Sequence, residues 1–423
     1  MIRSIGLNNW KSFANSQLFI DPLTILIGSN ASGKSNALDA FSFLNKATLG
    51  TPFSVIMEQM RGGIQWVCRN NTSSFSLSAT VADDNENIDY VYFIEVETHN
   101  GTLQVKSESL QRLKYRSKDN KNNPYSIYIY RTDPCEQDSP YITARTYNEK
   151  QGTPRPCSRA QSILGQLYIQ STANILRNEI SKALNAMHEN LGQIFMLDPI
   201  PSHMRGFSPL SEVLNSDASN IAGVISAFSD DEKKELERKL SNYIKSLPER
   251  EIVEVFSETV DRFKSSAMLY CKEGWLDDDE QIIDARSMSD GTLRFLAILT
   301  ALLTRPTGSL LVIEEIDNGL HPSRADLLVK VLSEIGGQRK VDVLVTTHNP
   351  AFLDRLGHKY TPFITVSHRD PSTGSSMLTL LEDINMLPKM LASGPVGTLT
   401  SKGSIESALN QQFSMVSKGD DHE

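Results

Sequence analysis

Between residues 75 and 130 apolar and polar positions alternate, in FSLSATV, YVYFIEVET and YSIYIY, with many aromatic, Thr and Ser residues. A period of two with these residue types predicts antiparallel sheet. Ahead of it, IRSIGLNNW and LTILIG read as two strands, and a helix is expected from 34 to about 47. DNKNNP, 119–124, marks a loop or hairpin tip, and 133–156, with several prolines, reads as irregular. Helical spacing dominates from 161 to about 191, and a second helix is expected after Ser229, an N-cap serine followed by acids, with Pro248 ending it. EIVEVFSE, SAMLYCK and QIIDARS predict three short strands, then SMSDGTLRFLAIL a small polar turn running into an apolar helix. Two continuous apolar runs, in GSLLVIEEIDNGLHP and VDVLVTTHNPAFLDRL, predict buried parallel strands, and FITVSHRD with SMLTLLED a closing pair. No heptad pattern persists, so long coiled-coil arms are not expected.

Candidate chemistry sits where these elements end. ILIGSNASGKSNALDAF, 25–41, places G-x-x-x-x-G-K-S between a strand and a helix. Backbone N–H groups of such a loop and the helix N-terminus form an anion cradle, so Gly28, Ser29, Asn30, Ala31, Ser32, Gly33, Lys34, Ser35 and Asn36 are expected to hold a nucleotide's phosphates. Lys34 should reach the β- and γ-phosphates and the Ser35 hydroxyl should ligate Mg²⁺. Glu314 and Glu315 emerge at the carboxyl end of a buried strand, the edge at which open α/β sheets bind ligands. Beside a phosphate loop, Glu314 would help hold Mg²⁺ and Glu315 would polarise the attacking water; the alternative is a pair of solvated acids. His348 ends the next strand and would sense a γ-phosphate there; a surface or satisfied core histidine is the alternative.

These motifs, in this order, resemble the ABC-type ATPase heads of the SMC, RecF and OLD superfamily and, within it, the stand-alone AAA-like, OLD-related ATPases of bacterial defence and DNA-maintenance systems. NNWKSF, 8–13, looks like their first strand, and SMSDGT like their signature. IEEIDNGLHP looks like their extended Walker B and D-loop, with Asp317, Asn318 and His321, and TTHNP like their H-loop. The likeness covers about half of the chain, at its two ends. It implies an α/β P-loop head with a mixed or parallel core sheet, an antiparallel β subdomain and a helical lobe. The expected boundaries are 1–165 for an N-terminal lobe, 166–250 for the helical lobe, 251–385 for a C-terminal lobe and 386–423 for a tail, all one composite ATPase domain. In such heads two copies face each other, and the signature of each closes over the other's ATP; Ser289, Asp290 and Gly291 would do so here. Lys11 would contact phosphate or base, a solvated lysine being the alternative, and either Gln161 or Gln166 is a candidate for the Q-loop. Glu314 replaces a usual aspartate, Asp290 a signature glycine, and Ile316 a frequent proline.

The resemblance implies ATP and Mg²⁺ as cofactors and an ATP-sandwiched homodimer. It also suggests a sensor or regulatory role in anti-phage defence. About 75 residues follow His348, too few for the Toprim nuclease domain that OLD proteins carry, so a separately encoded nuclease-type effector is expected. The alternative is a RecF-like DNA-binding ATPase. Segment 104–131 interleaves Lys106, Arg112, Lys114, Arg116, Lys118, Lys121 and Arg131 with Tyr115, Tyr125, Tyr128 and Tyr130, a candidate DNA or RNA contact unless these are solvated strand edges. The formal charge of −9 disfavours wholesale wrapping of nucleic acid. No run could span a bilayer, and four scattered cysteines without CxxC give neither a zinc site nor a disulfide framework, so a cytoplasmic protein is expected.

Overall fold

A six-stranded sheet forms the centre of the protein in the computed structural model, which describes residues 1–70, 72–83, 87–116, 123–173, 175–247, 252–260, 262–274, 281–319 and 322–419. Its order is Ile194–Leu197, Leu310–Ile313, Asp342–Thr346, Leu23–Ile27, Ile364–Arg369 and Ser376–Leu380. The first five strands are parallel and the last is antiparallel. Three of them, Leu310–Ile313, Asp342–Thr346 and Leu23–Ile27, are buried at every position, because both faces of the sheet are covered. Alternate residues serve two cores. Leu26, Leu310, Val312 and Leu344 pack with the helices Lys34–Thr48 and Asn178–Leu191. Ile25, Ile27, Leu311, Ile313, Val343 and Val345 pack on the other side with Asp290–Thr304 and Ala325–Arg339.

The alternating segment forms an eight-stranded antiparallel sheet in the order Asn15–Phe19, Ile2–Asn8, Ser74–Ala82, Ile88–His99, Thr102–Lys114, Tyr125–Thr132, Tyr141–Thr146 and Thr153–Ser158. Trp10 anchors it to the central layer. Its ring is buried edge-on against Phe43 and Phe75, and its Nε1 donates to the Asn36 carbonyl at 2.7 Å. The region 133–156 is more regular than its prolines suggest. Pro154 and Pro156 lie on the outermost strand, where a missing N–H breaks no ladder. The helical stretch divides into Ile163–Thr172 and Asn178–Leu191, and the strands Asn15–Phe19 and Ile194–Leu197 lacked a sequence signal. Ser229 and Glu232 form a capping box on Asp230–Ile244, while Pro248 lies outside the described residues.

A third, antiparallel sheet joins Ser208–Pro209, Ser266–Glu273, Ile252–Thr259 and Gln281–Asp284, and leads directly into the turn before Asp290–Thr304. The last helices fold back on the chain: Gly397 packs against the Pro350 carbonyl, and the Thr398 N–H donates to Asp354 at 3.0 Å. The longest helix among the described residues has 16 residues, so the α/β head has no long coiled-coil arm, and no helix is long and apolar enough to cross a membrane.

Candidate functional site

Parallel register aligns the chemistry-bearing strand ends. Ile313 pairs with Val345, and Val345 with Ile25, so Glu314, Thr346 and the loop after Ile27 emerge together. The loop is a tight fit. Gly28 and Gly33 have φ of 147° and 118°, and a Cβ there would meet the Ser367 carbonyl and the Ser376 hydroxyl respectively. Glycine alone combines both requirements. Ala31 also has positive φ, and its carbonyl accepts from Arg369 Nε at 3.0 Å. Lys34 folds over the loop, donating to the carbonyls of Gly28 and Ser29 at 2.6 and 3.0 Å. Burial pulls the Lys34 pKa down, with Glu315 and Glu314 pushing back.

In a continuing strand two adjacent side chains would point to opposite faces. Here the strand stops at Ile313 and Glu315 takes a left-handed φ of 50°, so both glutamates line one cavity of about 290 Å³ with Asn30, Lys34 and Ser35. Left-handed backbone is strained for glutamate and persists only where its surroundings hold it. Thr346 supplies that hold: its Oγ1 accepts from the Glu315 N–H at 2.8 Å, and its carbonyl accepts from the Ile316 N–H at 3.0 Å. Glu314 accepts a hydrogen bond from the Ser35 hydroxyl and faces Arg61 Nη1 at 3.3 Å. His348 Nδ1 lies 3.8 Å from Glu315 Oε1, both side chains about half exposed.

Arg61 has no motif in the sequence and is the main residue that sequence reasoning missed. It bridges Glu314, the Ser35 carbonyl at 3.3 Å and Asp39 at 3.0 Å. Lys11, nearly buried, donates to Asp39 at 2.5 Å and to the Arg61 carbonyl at 2.8 Å, so it braces this network. Oxygen donors on two elements, the Ser35 hydroxyl and the Glu314 carboxylate, suit a hard divalent ion that takes few protein ligands and completes its shell with phosphate and water, and Arg61 on Glu314 would compete with it. Among the described residues no group of three or more His, Cys, Asp and Glu forms a protein-only metal cage.

Ser289, Asp290 and Gly291 do not line this cavity. Ser289 caps the helix Asp290–Thr304, its Oγ accepting from the Thr292 N–H at 3.1 Å. The acid at Asp290 is offset by Arg205, which a sequence reading had no means to place: Nη2 meets Asp290 Oδ1 at 2.5 Å, while Nη1 donates to the carbonyls of Ala285, Arg286 and Met288 at 3.1, 2.8 and 2.8 Å. A Cβ on Gly291 would lie 2.8 Å from the Gly319 carbonyl, so the turn abuts the segment of Asp317 and Asn318 within one protomer. One carboxylate oxygen of Asp317 is buried with no hydrogen-bond partner among the described residues. His321 lies outside the described residues. Gln166 turns inward, exchanging hydrogen bonds with the Ser158 backbone at 2.8 and 2.9 Å, and neither it nor Gln161 lines the cavity. Lys106 pairs with Glu95 and Arg112 with Glu179, which leaves the basic segment less free charge than its composition suggests; Lys118 and Lys121 lie outside the described residues.

Residues 23–354 match the family model described as "AAA domain, putative AbiEii toxin, Type IV TA system". The chain is 23% identical over 361 residues to an "ATP/GTP phosphatase" of Helicobacter pylori (strain ATCC 700392 / 26695), covering 84% of this chain and 87% of that protein. Among solved structures it is similar to an SMC head bound to the C-winged helix domain of ScpA, at a TM-score of 0.50 and 14% identity, covering 89% of this chain and 96% of the other.

Proposed function

The chain belongs to the family described as "AAA domain, putative AbiEii toxin, Type IV TA system" and is an ATPase on an SMC-head fold; from that premise we propose that it is a nucleotide-gated dimer whose two copies share each ATP. The convergence of Ser35, Glu314 and Arg61 beside Glu315, at the mouth of the phosphate loop, carries the nucleotide half of this reading, and the Ser289 turn, a helix N-terminus that does not line that cavity, supports the sharing between copies. In it the loop N–H groups and Lys34 bind the phosphates, and Ser35 with Glu314 holds Mg²⁺. When bound, Mg²⁺ neutralises charge on the phosphate oxygens. Glu315, held by Thr346, takes the proton of the attacking water, and His348 steadies the γ-phosphate edge. Ser289 and the N-terminus of Asp290–Thr304 meet the γ-phosphate from the other copy, the position a helix N-terminus favours for an anion. Loss of that phosphate on hydrolysis removes the bridging charge and releases the pair. The stand-in test is Glu315→Gln with ATP and Mg²⁺. Light scattering should report a dimer that ADP does not support, Ser289→Arg should abolish it, and a monomer under all nucleotides would overturn the shared-site reading.

As to biological role, we infer a sensor or regulatory subunit of bacterial anti-phage defence that acts through a separate nuclease-type effector. The similar SMC head is bound to a domain of another protein, which supports a separate partner here. Copurification of the native complex should bring down a second polypeptide; full defence by the purified chain alone would argue against it. A RecF-like DNA clamp is the second reading. It rests on Tyr125, Tyr128 and Tyr141, exposed on the outer strands with Arg131 over the Tyr128 ring, and predicts salt-sensitive, ATP-dependent DNA affinity.

A further inference from the structure

Beyond its last strand the chain folds back on the helix that follows His348. That helix, Pro350–Leu356, starts two residues past the histidine and has only seven residues, too few to hold a direction without packing. Its own chain ties down the first turn: Thr347 Oγ1 accepts from the Asn349 N–H at 3.1 Å, and the Asn349 side chain accepts from the Ala351 N–H at 3.0 Å. The rest is covered by the short helix Val396–Ser401, whose Val396 and Leu399 share a core with Phe352, Leu353 and Leu356.

Two contacts between these helices are closer than apolar packing requires. A Cβ on Gly397 would lie 1.9 Å from the Pro350 carbonyl oxygen and 2.5 Å from Asp354 Oδ1. Carbon–oxygen contacts between packed helices run at about 3.3–3.6 Å, so a single methyl group at 397 forces the two backbones apart by more than about 1 Å. Gly397 is helical, with no positive φ, so the missing side chain answers this contact and not a need of its own backbone. Asp354 then clamps the pair. Its Oδ1 accepts from the Thr398 N–H at 3.0 Å and its Oδ2 from the Thr398 hydroxyl at 3.3 Å, replacing the cap that Pro395 at the N-cap position does not supply.

We propose that Val396–Ser401 is a brace for the catalytic edge, and that Gly397 and Asp354 are positioning residues that hold His348 at the γ-phosphate beside Glu315. The inference rests on the reading of His348 given above and adds the part of the chain that fixes it. The bearing point, the Pro350 carbonyl, lies two residues from His348, whose Nδ1 stands 3.8 Å from Glu315 Oε1. A catalytic group misplaced by about 1 Å can cost on the order of 100-fold in rate.

Single-turnover ATP hydrolysis by the full chain, which reads slow variants, together with equilibrium ATP binding, tests this. Gly397→Ala should slow hydrolysis by roughly 10- to 100-fold and leave ATP affinity within about twofold, although alanine is the better helix former. Asp354→Ala should follow it, and Asp354→Asn, which keeps an acceptor for the Thr398 N–H, should restore most of the rate. In a His348→Ala background the Gly397→Ala change should cost less than about twofold, because the group it displaces is gone. A wild-type rate in folded Gly397→Ala or in Asp354→Ala overturns the proposal. So does an equal proportional loss with and without His348, or a loss of ATP affinity in step with the rate, which a general loosening of the fold would give. Should Gly397→Ala fail to fold, Asp354→Ala, which adds no volume, decides by the same comparison in the two backgrounds. A wild-type rate in His348→Ala would instead discard the reading of His348.

Discussion

Asp342 offers a prediction whose size follows from the structure. It begins the strand Asp342–Thr346, 4% exposed, at the end opposite the nucleotide site. Burial pushes its pKa from an ordinary 3.8 up to about 7, the Met1 ammonium opposing and Asp21 adding repulsion. A raised carboxyl pKa means that the folded state holds a proton that the unfolded chain releases. Stability from this group is therefore complete below about pH 4 and is lost as pH rises through 7. The span from 3.8 to about 7 corresponds to ~4 kcal/mol in full. Integrated over the window, the mismatch between the folded and unfolded carboxyl costs roughly 2 kcal/mol at pH 5 and roughly 4 kcal/mol at pH 8. Asn cannot ionise, so Asp342→Asn should gain roughly 2–3 kcal/mol on the wild type between those pH values, whatever its offset at pH 5. Urea midpoints of both proteins at the two pH values measure the difference. ATP turnover, governed by the far end of the sheet, should be unaltered. Parallel pH profiles within about 0.5 kcal/mol would refute the desolvation argument.

Three further outcomes concern the site. Arg61→Ala removes the cation facing Glu314, so ATP turnover should fall while half-maximal Mg²⁺ moves to lower concentration; a higher Mg²⁺ requirement would contradict competition for that carboxylate. Arg205→Ala leaves Asp290 uncompensated and three carbonyls unpinned: turnover should drop by roughly tenfold or more with ATP binding intact, and Asp290→Gly in the same chain should restore part of it. Thr346→Val keeps the volume but orphans the Glu315 N–H, at a cost of about 1–3 kcal/mol, and should lower kcat far more than it changes KM in a steady-state ATPase assay.

Elements set by short-range pattern were readable in the sequence. Continuous apolar runs gave the buried parallel strands, the two-residue alternation gave the antiparallel sheet, and Ser229 with the acids that follow it marked a helix start. The loop at Gly28 and Gly33 was legible because its backbone needs glycine for steric reasons that survive in any context. What stayed hidden depends on distant partners. Thr153–Ser158 looked irregular because its prolines are tolerated only by being outermost, which is a fact about sheet order. Arg61 and Arg205 are single cations on irregular segments, given meaning by Glu314 and Asp290, which are 253 and 85 residues away. No local period encodes such pairs.

The same distinction bears on how two nucleotide sites could inform each other. Glu315, which would hold the attacking water, is tied within one protomer to the turn that would serve the other copy. Its carbonyl accepts from the Asn318 N–H at 2.8 Å, and the next residue, Gly319, presses its carbonyl on Gly291. Because Gly291 has no side chain to absorb a shift, a movement of the 315–319 turn must move the signature turn or open that contact. If Ser289 faces the partner's ATP, a change at one catalytic glutamate alters the presentation made to the other site. Linkage makes the effect reciprocal: whatever binding at the partner's site does to the signature turn returns to Glu315 by the same four residues. The coupling then resides in a named contact rather than in distance, and its strength should depend on the size of the residue at 291.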